Sequence, residues 1–81
     1  MDDDAILQRI DELHHQEQEL QTRAAEDDGL SADDEAMLRS LNIERDQQWD
    51  LLRQRRALRD AGKDPDQAAV RDPSVVETYQ Q

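Results

Sequence analysis

Two stretches of this chain repeat inward-type residues at steps of three and four, and about five residues of turn-forming sequence separate them. Ile6, Ile10, Leu13, Glu17, Leu20 and Ala24 make the first stripe; Leu38, Leu41, Arg45, Trp49, Leu52 and Arg56 make the second. Such steps track the 3.6-residue helical turn, so each set lies on one helix face. A connection this short makes neighbouring helices antiparallel. With Asp28–Gly29 at the apex, facing residues have numbers adding to about 58. Leu20 then meets Leu38, Glu17 meets Leu41, Leu13 meets Arg45, Ile10 meets Gln48 or Trp49, and Ile6 meets Leu52. The expected fold is therefore all-α: an antiparallel, coiled-coil-like two-helix hairpin over residues 1–62, with helices at 4–26 and 32–61, and a tail over 63–81.

The end signals agree with this division. Asp3 or Asp4 is positioned to cap the first helix, where negative charge suits the helix dipole. Gly29 supplies the left-handed conformation that closes helices. Ser31 with Asp34 approximates a capping box for the second helix, and Gly62 followed by Pro65 ends it. In the tail, Asp64-Pro65 and Asp72-Pro73 each set a capping Asp before a Pro at the first helical position. They predict two short helical turns, Pro65 to Arg71 and Pro73 to about Gln80, anchored by Val70, Val75, Val76 and Tyr79.

The stretch Trp49-Asp50-Leu51-Leu52-Arg53-Gln54-Arg55-Arg56-Ala57 resembles a small actinobacterial family, the domain of unknown function numbered 2630. So do Asp3-Asp4-Ala5-Ile6-Leu7, Gly29-Leu30-Ser31, Asp64-Pro65-Asp66, and Val76-Glu77 with Tyr79, in the family's order and spacing. The resemblance implies no activity, cofactor or catalytic residue. Arg45 and Gln48 depart from it, because an apolar pair is expected there.

Composition narrows the function classes. The chain has 81 residues, no Cys, and only Trp49 and Tyr79 as aromatics, so disulfides and a thick core are excluded. Its net charge of −11, from 21 acids against 10 bases, disfavours nucleic acid and anionic membrane as partners and favours basic proteins. The acidic start Met1-Asp2-Asp3-Asp4 has the wrong charge for a secretory signal, which makes the cytoplasm the expected location.

Four clusters are candidates for function. Glu12 and His15 have the Glu-x-x-His spacing of bundle metal sites, with Asp46 and Glu44 opposite. They lie about 120° and 180° from the stripe centre, however, so solvated surface is the expected reading and no cofactor is expected. Asp27, Asp28, Asp33 and Asp34, with Glu26 and Glu35, crowd the hairpin tip. Acids on a helical hairpin tip resemble the secondary-channel regulators of RNA polymerase, whose carboxylates reach a catalytic Mg²⁺. Helix-start and turn preferences explain most of them. Arg53, Arg55, Arg56 and Arg59, with Lys63, form the basic cluster, and Asp2, Asp3 and Asp4 fall opposite it, so internal neutralisation is expected. Trp49 is expected in the core.

The stripes are too narrow to cover one another. Met37, Leu51 and Leu58 widen the second stripe on one flank and Trp49 lies on the other. The tail can cover one flank, and pairing into a four-helix homodimer covers the rest. The expected interface and core are Ile6, Ile10, Leu13, Leu20, Met37, Leu38, Leu41, Trp49, Leu51, Leu52 and Leu58. The leading functional expectation is a non-enzymatic, self-associating adaptor or modulator of a larger protein partner. The alternatives are an RNA-polymerase regulator acting through the acidic tip and a helical-bundle metal-binding protein.

Overall fold

The computed structural model describes residues 2–26 and 29–80, the last three of these by backbone alone. It is all-helical, with no strand among the described residues. Helix α1 (Asp3–Glu26) and helix α2 (Ala32–Asp60) pack antiparallel, a 3₁₀ turn spans Pro65–Gln67, and helix α3 (Pro73–Gln80) ends the chain. No helix is long and apolar enough to cross a membrane.

The helix ends follow from local chemistry. Asp2, rather than Asp3 or Asp4, caps α1: its carboxylate accepts from the Ala5 amide at 2.8 Å. Moving the cap one residue back leaves Asp3 available for the ion pairs described below. At α2, the Ser31 hydroxyl accepts from the Asp34 amide at 3.1 Å and the Asp34 carboxylate accepts from the Ser31 amide at 3.5 Å, a complete capping box. Asp34 is therefore structural, whereas Asp33 and Glu35 are exposed. The other end of α2 closes through Gly62 at φ +73°, with Gly62 N–H donating to Arg59 O and Lys63 N–H to Leu58 O. That paired geometry requires a left-handed residue, which Gly adopts without steric cost.

Two apolar clusters hold the hairpin together. Ile6, Ile10, Leu51 and Leu52 form the one near the chain ends, and Leu13, Leu20 and Leu41, backed by Leu38, form the one toward the turn. On α2, Arg45 and Gln48 divide them. Gln48 is 7% exposed, and among the described residues neither its Oε1 nor the buried Glu17 Oε1 has a hydrogen-bond partner. Where the family pattern predicts an apolar pair, this hairpin has a polar layer.

The inward stripe of α2 runs through Leu41, Gln48, Leu51, Leu52 and Arg55. The expected stripe is therefore displaced at two places. Gln48 and Arg55 point in, and Trp49 and Arg56, 100° further round, point out. Trp49 is 41% exposed and Met37 is 53% exposed, so neither belongs to the core as expected. Leu58 is half-buried. Arg55 takes the inward position because two carboxylates meet it there, Asp3 at 2.6 Å and Asp66 at 2.8 Å.

The tail returns along α2 as a strap. The expected helix from Pro65 to Arg71 is only the 3₁₀ turn; residues 68–72 are not helical. The reason lies on α2. The Gln54 amide donates to Ala69 O at 2.8 Å, and Gln47 donates to Arg71 O at 3.1 Å. These side chains take backbone groups that a helix would use internally. Ala68 packs on the Ile6–Leu52 cluster, and Val76, 1% exposed, is the tail's buried anchor. Val70 and Val75 stay exposed. The Tyr79 side chain, also expected as an anchor, lies outside the described residues.

Candidate functional site

Helix α2 presents two flanks around its contact with α1, and they differ in what covers them. Ile43, Gln47, Asp50 and Gln54 recur at helical spacing on the flank that receives the tail. Asp50 is fully buried and 0% exposed. Its two carboxylate oxygens accept from Arg71 in a fork, Nε–Oδ2 at 2.8 Å and Nη2–Oδ1, and Gln54 donates to Oδ2 at 2.9 Å. The Arg71 hydrogen bonds are the largest influence holding this carboxyl below the usual range; burial opposes them and Gln54 assists. A buried carboxylate with three hydrogen bonds fastens the strap to α2.

The basic cluster divides in the same way. Arg55 is bound by Asp3 and Asp66, and Arg59 donates to Asp3 at 2.7 Å. Hydrogen bonds from Arg59, then Arg55, lower the Asp3 pKa to about 2. Arg55 and Arg59 are thus engaged in ion pairs within the chain, Arg59 with its side chain still 42% exposed. Arg53 and Arg56 remain exposed; Arg53 approaches Asp50 only at 3.9 Å.

The Glu12 and His15 pair is on the surface. Arg9 reaches Glu12 at 3.1 Å and Glu44 at 2.8 Å, so the carboxylates that a metal site would share gather around a guanidinium instead. His15 is exposed, with Nδ1 2.9 Å from Asp11 O. Among the described residues, no three metal-ligating side chains converge. At the tip, Asp33 is exposed and Asp34 is held in the capping box, while Asp27 and Asp28 lie outside the described residues.

Among the described residues, none covers the second flank. Leu7, Ile10, Asp11 and His14 of α1 and Arg45, Asp46 and Trp49 of α2 line an open groove. Leu7 is 44% exposed and Trp49 41%. Arg45 closes its inner edge through a 2.6 Å ion pair with Glu17, which joins the two helices across the polar layer. The groove's polar groups are of both signs and sit beside an exposed indole.

Comparison with known sequences fits this picture of one continuous unit. The profile described as "Protein of unknown function (DUF2630)" matches residues 2–81. The chain belongs to the DUF2630 family. It is similar to uncharacterised proteins of Mycobacterium bovis and of the CDC 1551 and H37Rv strains of Mycobacterium tuberculosis. Each is 42% identical over 77 residues, covering 95% of this chain and 88% of the relative. No solved structure matches it. The family profile runs through the strap as well as the hairpin, so the Asp50–Arg71 fastening lies inside the matched unit.

Sequence reasoning missed Asp50. It enters there only within the Trp49–Ala57 stretch that carries the family resemblance. The available signal was the spacing of Gln47, Asp50 and Gln54, a second helical stripe of hydrogen-bonding residues.

Proposed function

We propose that this DUF2630 protein is a non-catalytic interaction module. It self-associates as a homodimer through its hairpin and presents the paired helices to a larger protein partner as an adaptor or modulator. One observation carries the reading: the tail covers one flank of α2 with Ala68 and Val76, and leaves Leu7 and Trp49 in water on the other. Apolar surface left in water costs roughly 25 cal/mol per Å², so an uncovered indole beside an uncovered Leu favours association. The direction of the pKa shifts supports the non-catalytic part. Asp3, Asp50, Asp66 and Asp72 are all lowered by structural hydrogen bonds. A general acid needs the opposite shift, toward the working pH.

Affinity capture with the tagged full chain, run beside light scattering of the purified protein, tests the reading. The expected result is a mass of twice 9.4 kDa in solution and a protein retained from a lysate of the source cells by the wild-type chain but not by a Trp49→Gln variant. A monomer that retains nothing overturns it.

A further inference from the structure

We propose that a second copy of this chain occupies the Trp49 flank, with α1 of each copy lying on α2 of the other about a two-fold axis that runs along the hairpin. This rests on the self-association reading and adds the surface, the orientation and the charge code.

On this flank the two helices differ in charge over part of their length. On α1, the exposed residues at helical spacing are Asp4, Leu7 and Asp11; on α2, they are Trp49, Arg53, Arg56 and Asp60. From Asp4 to Asp11 the α1 half is acidic, the Arg53–Arg56 turn of α2 level with it is basic, and Asp46 and Asp60 stand on either side of the Trp49–Arg56 segment. A two-fold interface must be complementary to itself, and there are two ways to place two hairpins face to face. An axis across the hairpin lays α1 on α1 and sets Asp4 and Asp11 against the same acids of the other copy. An axis along the hairpin lays α1 on α2 and sets acids against bases twice.

Heights agree with the second arrangement. Within one hairpin Asp3 meets Arg55 and Glu17 meets Arg45, so level positions have numbers adding to about 60. An axis along the hairpin preserves height, so the same relation holds between copies. Asp4 comes level with the Arg53–Arg56 turn of the other copy. Asp11 comes level with its Trp49, between Arg45 and Arg53. His14 comes level with Asp46, so the acid on α2 at this height meets an imidazole rather than a carboxylate of α1.

Size and net charge are consistent with this occupant. The chain measures 51 by 25 by 16 Å, so part of its broad face supplies the roughly 800 Å² per partner of a standard interface. The whole molecule carries −11, which opposes unselective contact between copies. This flank is a place where Arg53 and Arg56 stand exposed beside apolar side chains and can offset that repulsion locally.

A charge-swap mixing experiment tests the orientation. One full-length variant carries Asp4→Lys with Asp11→Lys; the other carries Arg53→Glu with Arg56→Glu. Each homodimer then sets like charge against like charge, and the expected weakening by sedimentation equilibrium is at least about tenfold. Mixed in equal amounts, the two variants restore opposite charges at both halves of the interface, and the heterodimer should dissociate within about threefold of the wild-type constant. Circular dichroism confirms that each variant remains helical, and Trp49→Gln, which leaves all charges in place, is expected to weaken the wild-type dimer by a similar factor. A wild-type dimer whose affinity ignores all of these changes, or swapped variants that fail to rescue one another, overturns the inference and leaves self-association standing. A wild-type chain that is monomeric overturns both.

Discussion

Replacing Arg71 with Met tests whether the tail is fastened to the hairpin as described. The substitution keeps the alkyl stem and removes the guanidinium fork, which leaves the Asp50 carboxylate, 0% exposed, with only the Gln54 hydrogen bond and Arg53 at 3.9 Å. Removing one member of a buried pair costs about 3–5 kcal/mol. The Arg71 side chain is 34% exposed and Gln54 still donates, so the lower end, about 3 kcal/mol, is expected. A domain of this size stands only about 4–12 kcal/mol above unfolding, and such a loss lowers the melting temperature by roughly 10–20 °C. The strap also offers an escape. If residues 64–77 detach, water reaches Asp50, and the cost cannot exceed the free energy of docking the tail. Hydrogen exchange separates these outcomes: the amides of Ala68 and Ala69 and the end of α3 should lose protection before α1 does. Pairing Arg71→Met with Asp50→Asn should recover part of the loss by removing the stranded charge. A single variant that melts within about 2 °C of wild type, with tail amides still protected, refutes the fastening.

Three further outcomes follow from the same geometry. Replacing Glu17 and Arg45 together with Leu should hold or raise the melting temperature, because the pair fixes register and its Glu17 Oε1 has no partner; a thermal melt falling by more than about 5 °C counts against this. Asp3, at about 2 when folded against an ordinary 3.8, contributes stability that is complete above pH 4 and is lost as pH falls toward 2. Urea midpoints measured across that window should drop in the wild type and drop less steeply in Asp3→Asn, and parallel curves would remove Asp3 from the acid response. Homodimer affinity should rise from low to physiological salt, where the Debye length of about 8 Å screens the repulsion of two −11 surfaces; sedimentation at the two salt concentrations reads it directly.

The hairpin was legible because two stripes read separately came into coincidence about one turn, and Gly62 and the Ser31–Asp34 box marked its ends. The Glu17–Arg45 contact was legible only in part: both charged residues hold stripe positions on facing helices, but the expected register sets Glu17 against Leu41 and Arg45 against Leu13, about one turn away. The rest failed where size and hydrophobicity were taken to decide direction. Trp49 is the largest side chain in the chain, yet Gln48 and Arg55 hold the inward positions, Arg55 because Asp3 and Asp66 make an inward Arg favourable. The strap was illegible for a different reason. Its attachment is made by side chains that a hydrophobic count ignores: Gln47 and Gln54 bond strap backbone, which has no sequence signature, and Asp50 bonds the Arg71 guanidinium. Asp2 as the cap of α1 is the same lesson at one residue's scale: the carboxylate next to it was required elsewhere.

Because Trp49 is the single tryptophan of the chain, its emission reports on the flank that carries the proposed contact. The direct measurement is the emission maximum and the light-scattering mass of the same samples, taken from nanomolar to high micromolar concentration. Self-association through this flank predicts a blue shift that rises with the same midpoint as the change from 9.4 kDa to twice that mass. A mass that stays at 9.4 kDa while the emission does not move contradicts it, and a mass that doubles without a shift places the contact elsewhere on the hairpin.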